Sequence, residues 1–433
     1  MAGTLTEGLW RLIEAKPVAR ADLEQAALFV LDALANMQAG RHSEPGRILL
    51  EHARRLGRDA GREALTMGAL IHILETDDLH RASVVHPGCV VVPAAYAIAR
   101  REGAGGRRFL RAVLKGFEAC CRVGMGVGPG HYRIWHNTAT CGPFGSAYAA
   151  GDLIGLDAVQ MVHALGNAGT QSAGLWEFLA TGAMSKHLHA GRAAEAGVIA
   201  ADLARLGFTG PPAILEGPKG LFAGACPDPR PEAVLAEPEQ PWQLCLTSIK
   251  PWPSCRHTHP AIDAALELSA RIAPEMVARV EVETYRAAID VCDRPVANSE
   301  YEGKFSLQHC VATALTDGRV DFASFAPEAR ARLGDLAARV ELRLSEPYAS
   351  AYPRAWGSAV QVTMRDGNVL RAARQHAKGD PEAPLDAAAM QTKARMLLDH
   401  GSTTEPERFI ARILALAEDG PLPDLADGPA LAA

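Results

Sequence analysis

The chain has 433 residues, of which 48% are hydrophobic and 22% charged, with a formal net charge of −6. That length and composition suit a globular protein of about two domains with a large buried core. The mild negative charge excludes a nucleic-acid surface or a polybasic membrane patch as the basis of function. No apolar run reaches the roughly 18 residues that a transmembrane helix needs.

The first residues, Met1 to Lys16, carry Glu7 and Glu14 and no apolar signal core, which predicts a cytoplasmic protein. Nine cysteines, an odd number, form no CxxC pair, which predicts buried thiols rather than a disulfide framework. Lysine is scarce: eight of the 44 basic residues. A lysine among glycines, prolines or apolar residues is therefore a candidate for a specific task.

Residues 5–56 predict helices, with Leu28, Val30, Leu31, Leu34 and Met37 at helical spacing, and 61–74 continue the pattern. Small residues dominate 89–119 and 145–206, which suits closely packed helices. The Pro- and Gly-rich stretch 210–242 predicts an irregular connection. The period then changes to two. Val280, Val282 and Thr284, then Val340, Leu342 and Leu344, then Val360, Val362 and Met364 alternate with polar residues. Asp366-Gly367 predicts a hairpin turn before Val369 and Leu370. Helical patterns at 260–272, 306–316 and 326–337 lie between these strands, and 386–418 turn helical again. The reading is a mainly α protein with an α+β lid. A large all-helical domain (1–247 and 387–433) carries a smaller inserted α+β domain (248–386).

Four segments place a basic side chain just before a predicted helix of small residues. They are Glu75 to His80 with His86-Pro87-Gly88; Trp135-His136-Asn137 with a helix from about Gly145; Lys186 to His189 with a helix from about Gly191; and Lys250-Pro251-Trp252-Pro253 with His257, His259 and a helix to Arg271. A helix N-terminus carries unsatisfied N–H groups and partial positive charge. A Lys or His beside it makes an anion site. Several such sites together would bind a polycarboxylate and stabilise the charge that grows when a proton leaves a carbon next to a carboxylate.

Other readings of the same residues are bland. His187/His189 and His257/His259 lack a matching Cys or carboxylate pattern, so no metal is expected. The run Gly124 to Gly130 lacks dinucleotide-loop spacing and contains Pro129, which predicts a flexible loop. Cys255 predicts a pocket-lining or buried thiol.

These segments resemble the MmgE/PrpD family, which includes 2-methylcitrate dehydratase and cis-aconitate decarboxylase. The resemblance extends through Thr258-His259-Pro260-Ala261, Lys304-Phe305-Ser306-Leu307-Gln308 and Gly379-Asp380-Pro381. It implies a helical domain with an α+β lid, a homodimer, residues contributed from both domains, and no metal or organic cofactor. Carried over, it places His86, His136, Lys186 and Lys250 in the active site. The chain departs from the family pattern at Glu75 (usually Asp), Leu79 (usually Thr) and His309 (Tyr in decarboxylase-like members).

The expected roles follow. His86 is the general base or acid, oriented by Asp77 or Asp78. His136, Lys186 and Lys250 neutralise substrate carboxylates, and His309 delivers a proton. Asp77, Asp78, His80, His257 and Lys304 complete the substrate pocket. The expected function is a cofactor-independent hydro-lyase acting on a 2-methylcitrate-like di- or tricarboxylate. A cis-aconitate-type decarboxylase, a dicarboxylate epimerase and a non-catalytic organic-acid-binding protein are the alternatives.

Overall fold

The computed structural model describes residues 3–57 and 59–425. The chain divides into two compact units. One holds the residues through Ser248 together with those from Asp386 onward, and the other spans Ile249–Leu385. The protein is mainly helical with one small four-stranded sheet. No helix among the described residues is long and apolar enough to cross a membrane.

In the first unit, helices Asn137–Ile154 and Ser185–Arg205 form the centre, packed on Ala60–His72, Gly88–Glu102 and Gly106–Gly126. Small side chains make this possible. A Cβ on Gly197 would sit 2.1 Å from Ser146 Oγ, and one on Gly191 would sit 2.4 Å from the Leu65 carbonyl oxygen. The helix bearing Lys186 therefore meets its neighbours at backbone distance, where any side chain would force it outward.

Three local expectations are corrected. The second segment's helix begins at Asn137 rather than Gly145 and runs through Pro143. Buried side-chain bonds support those extra turns: Asn137 Nδ2 donates to the Ser83 carbonyl at 2.8 Å, and Thr138 Oγ1 accepts from His86 N at 3.1 Å. The third segment's helix begins at Ser185 rather than Gly191, so Lys186 stands in its first turn. Gly124 and Gly126 complete helix Gly106–Gly126 instead of opening a loop. A Cβ on Gly124 would meet Ser83 Cβ and Val85 Cγ2 at 2.7 and 2.8 Å, so glycine there serves close packing.

The C-terminal helices Ala387–His400 and Pro406–Leu414 pack on helix Arg20–Gly40. Lys393, buried, pairs with buried Asp32 and donates to the Thr76 carbonyl at 2.7 Å. Thr76 Oγ1 donates to Asn36 Oδ1, and Asn36 Nδ2 to the Asp32 carbonyl at 2.9 Å. The tail thus pins the backbone of the turn that carries Glu75, Asp77 and Asp78.

In the second unit the strands are β1 Val277–Thr284, β2 Val340–Leu344, β3 Ser358–Met364 and β4 Val369–Arg374, in the order β2-β1-β3-β4. β1 pairs parallel to β2 (Val280 with Val340) and antiparallel to β3 (Val282 with Val360). The turn at Asp366-Gly367 joins β3 to β4, and Gly367 has φ +88°, the left-handed conformation such turns ask of glycine. Helix His259–Ser269 packs on β3 and β4, and helix Leu307–Asp317 packs on it in turn.

Candidate active site

The acidic turn divides its two aspartates between two tasks. Both Asp78 oxygens accept from Gly88 N, at 3.1 and 3.0 Å. Asp78 thereby caps the helix that His86-Pro87 leads into, a favourable place for a carboxylate. Asp77 is aimed elsewhere: its Oδ2 lies 2.6 Å from His72 Nδ1 and 3.3 Å from His86 Nδ1. Glu75 has φ 61°, unusual for a non-glycine residue, and its carboxylate takes the Lys186 ammonium as ion-pair partner.

His136 precedes helix Asn137–Ile154, held by its N–H donating to the Gly174 carbonyl at 3.0 Å. Its ring stacks on His72 with centroids 5.5 Å apart and meets Trp176 at 4.7 Å and His189 at 5.6 Å. His72 in turn meets His86 edge-on at 4.8 Å. The first unit therefore brings together His86, His136, Asp77 and Lys186, and adds His72. His80 stands apart, its Nδ1 on Ser83 Oγ at 2.8 Å.

Burial sorts these groups. The side chains of His72 and Asp77 are 0% and 1% exposed, whereas His86 and Lys186 each keep 13%. The last two are the groups of this set through which a solute is reached. Burial also sets charge. It pulls His72 down to about 4, against the opposing pull of Asp77. Burial, with His72 and Lys186 nearby, holds His136 well below the usual imidazole value. Both are neutral near pH 7. Burial alone would raise Asp77, but His72 and His86 outweigh it and keep its carboxyl well below 3.8. Asp77 is thus an anion, and the His72 nitrogen 2.6 Å away must carry the hydrogen. Asp78 goes the other way: burial, then the charges of Asp77 and Asp32, push it well above 3.8.

The second unit holds the other expected residues singly. Lys250 is buried, and the backbone beside it is fixed by Ile249 N donating to the Gly379 carbonyl at 2.9 Å. His257 Nδ1 bonds the Tyr285 hydroxyl at 2.6 Å, its ring stacks on Trp356 at 4.5 Å, and burial pulls it down to about 4. Lys304 pairs with Glu300 at 2.8 Å, one turn earlier on the same helix. His309 Nε2 is 2.8 Å from the Ser324 carbonyl, so that nitrogen carries the hydrogen and donates it there.

His72 escaped sequence reasoning. It lies within Leu70-Ile71-His72-Ile73-Leu74, a run that reads as core, and it is indeed fully buried. Only its five-residue offset from Asp77 hinted at a partner. Among the described residues two groups bring three possible metal ligands within 4.8 Å: His72, Asp77 and His86, and His376, Asp380 and Glu382. Each has a ligand committed elsewhere. Two ligands on one zinc sit about 3.3 Å apart, and His72 Nδ1 and Asp77 Oδ2 are at hydrogen-bond distance, 2.6 Å. Asp380 is taken by Arg256 at 2.5 Å.

Comparison with known proteins places this geometry. The family model described as the MmgE/PrpD N-terminal domain matches residues 13–233, and that of the MmgE/PrpD C-terminal domain matches 252–418. The chain belongs to the MmgE/PrpD family. It is an enzyme of that family. The chain is similar to the cis-aconitate decarboxylase of Aspergillus terreus, 26% identical over 400 residues, covering 84% of this chain and 81% of the relative. A cis-aconitate decarboxylase-like protein of Aspergillus oryzae, oryM, is 30% identical over 264 residues, covering 57% and 54%. The cis-aconitate decarboxylase of Homo sapiens is 25% identical over 347 residues, covering 77% and 71%. All four carried-over MmgE/PrpD positions, His86, His136, Lys186 and Lys250, lie in buried or nearly buried settings.

Proposed function

We propose that this lyase decarboxylates a small unsaturated di- or tricarboxylic acid of the cis-aconitate type, with His86 transferring the proton at the reacting carbon. The observation that carries the reading is one compact group in the helical unit. An accessible imidazole, His86, leans on an anionic Asp77, beside a lysine, Lys186, whose ammonium already holds a carboxylate, that of Glu75. The names of the relatives support decarboxylation over the expected dehydration.

The chemistry asks little more. The C–C bond to one carboxylate breaks and CO₂ leaves. The electron pair stays on carbon and spreads into the remaining unsaturated acid. His86 as imidazolium gives that carbon a proton, and solvent later restores it. Lys186 opposes the growing negative charge where it forms, once a substrate carboxylate replaces Glu75 on its ammonium. His136, neutral, offers a hydrogen bond rather than a charge. In this reading no resident metal or organic cofactor takes part and the chain works as a homodimer. The exposed apolar side chains Ile134, Leu175, Leu179 and Leu188 on the helical unit favour such a partner face.

A second reading, dehydration of a 2-methylcitrate-like acid, is favoured by two observations. Leu79 is buried and apolar where family members carry threonine, and His309 donates to a backbone carbonyl where decarboxylase-like members carry tyrosine. A site that lacks a hydrogen-bonding group stops discriminating through it. Proton NMR of candidate acids in deuterated water separates the readings. Loss of CO₂ with one deuteron entering carbon is the expected outcome. Formation of an alkene from a hydroxy acid would replace decarboxylation with dehydration, and exchange with inversion would make the enzyme an epimerase.

A further inference from the structure

One imidazole of the cluster is unused by the reaction just described. His72 is fully buried, ends helix Ala60–His72, and meets the rings of both His86 and His136. Its Nδ1 and that of His86 compete for one atom, Asp77 Oδ2, and His72 holds it more closely, at 2.6 Å against 3.3 Å. The consequence follows from hydrogen bonding. A carboxylate given wholly to one imidazole makes that imidazole more basic and its imidazolium a poorer acid. A carboxylate shared with a second N–H donor does so less.

We propose that His72 is a positioning residue for His86: by donating Nδ1–H to Asp77 Oδ2 it divides that carboxylate between two imidazoles, so that His86 is oriented by Asp77 without being locked to it as a tight ion pair. The proposal rests on His86 being the proton-transfer group. It explains why a histidine is kept where the surrounding run calls for an apolar residue.

Other groups face His72 and set the background against which it acts. Asp77 and His86 come from the turn and its following loop, His136 from the start of its helix, and Lys186 and His187 from helix Ser185–Arg205. Glu75 offsets the Lys186 charge. Of the two ring nitrogens on Asp77 Oδ2, that of His72 is the closer, at 2.6 Å against 3.3 Å, so removing His72 gives His86 a larger share of that carboxylate.

The test compares His72→Leu, which removes the donor, with His72→Asn, whose side-chain amide can reach the position of Nδ1. The readouts are the pH dependence of kcat/KM and the pH titration of the His86 ring by ¹⁵N NMR in histidine-labelled protein. In His72→Leu both midpoints move to higher pH by about 0.5–1 unit, a three- to tenfold change in proton affinity. In His72→Asn they stay within about 0.2 unit of the parent. A merely structural role would lower the melting temperature and leave both midpoints in place. Unmoved or lowered midpoints in His72→Leu, or equal shifts in the two variants, overturn the proposal. If His72→Leu does not fold, His72→Gln takes its place, because its amide reaches the Nε2 position and not that of Nδ1. The NMR readout needs no turnover. A His86 shift in a protein that acts on no polycarboxylate would uphold the role of His72 and sink the lyase reading, whereas full turnover with an unshifted His86 would do the reverse.

Discussion

The two units treat their basic residues in opposite ways. In the helical unit the ring of His72 meets those of both His86 and His136, His72 and His86 share one carboxylate, and Lys186 stands in their electrostatic field. In the α+β unit three of the expected residues each have a partner of their own: Tyr285 for His257, Glu300 for Lys304, the Ser324 carbonyl for His309. A satisfied single residue is accounted for by folding alone. A gathering of titratable groups is not, since burying them costs desolvation that their packing does not recover, and such gatherings mark functional sites. The difference supports the proposal that proton transfer belongs to the helical unit, where the titratable groups gather, whereas His257, Lys304 and His309 of the α+β unit are each held by a partner.

The sharpest way to break that contrast is to remove one imidazole from each unit. His86→Ala should lower kcat by about 10²–10⁴-fold, the usual range for a lost general acid or base. His309→Gln, whose donor to the Ser324 carbonyl can be kept by the amide, should cost less than about tenfold. Equal losses in steady-state kinetics would erase the distinction. The lysines offer a milder version. Lys186→Met should cost about 10²-fold in kcat/KM through lost charge stabilisation. Lys304→Met removes a pair whose partner, Glu300, is mostly exposed, and should cost less than about fivefold. A larger loss at Lys304 would move substrate binding toward the α+β unit.

The smallest effect is on stability in mild acid. His72, His80 and His187 in the helical unit and His257 in the α+β unit are each pulled down to about 4 by burial. Below about pH 6.5 the unfolded chain takes up protons that these folded groups refuse. Their contribution is whole above 6.5 and is lost as pH falls toward 4, so stability declines across that window. Asp78, raised by burial, works in the opposite direction and softens the decline. Thermal melts at pH 7, 6 and 5 should show the midpoint dropping by several degrees. A flat profile would mean the histidines titrate as if exposed.

Much of this was legible in the sequence. The period-two alternation at Val280 and Val282, the Asp366-Gly367 turn and the helical tail all follow from local chemistry, because side-chain period and turn residues are properties of a few neighbours. The motifs around His86, His136, Lys186 and Lys250 identified the family in the same way. Helix starts were less legible. Asn137 to Thr140 are helical because Ser83, His86 and His131 bond their side chains from far along the chain.

What the sequence by itself determined is the family and the fold class of the protein, and it singled out the basic residues proposed for its site. The tertiary structure alone decided that Asp78 caps a helix while Asp77 faces two imidazoles, that Lys186 holds Glu75, that Lys393 of the tail pins the acidic turn, and that His72 lies against Asp77. The physical reason is the same in each case. A sequence pattern reports which residues are buried, but what a buried polar group meets depends on how the chain folds back, over five residues for His72 and Asp77 and over 111 and 317 for Lys186 and Lys393.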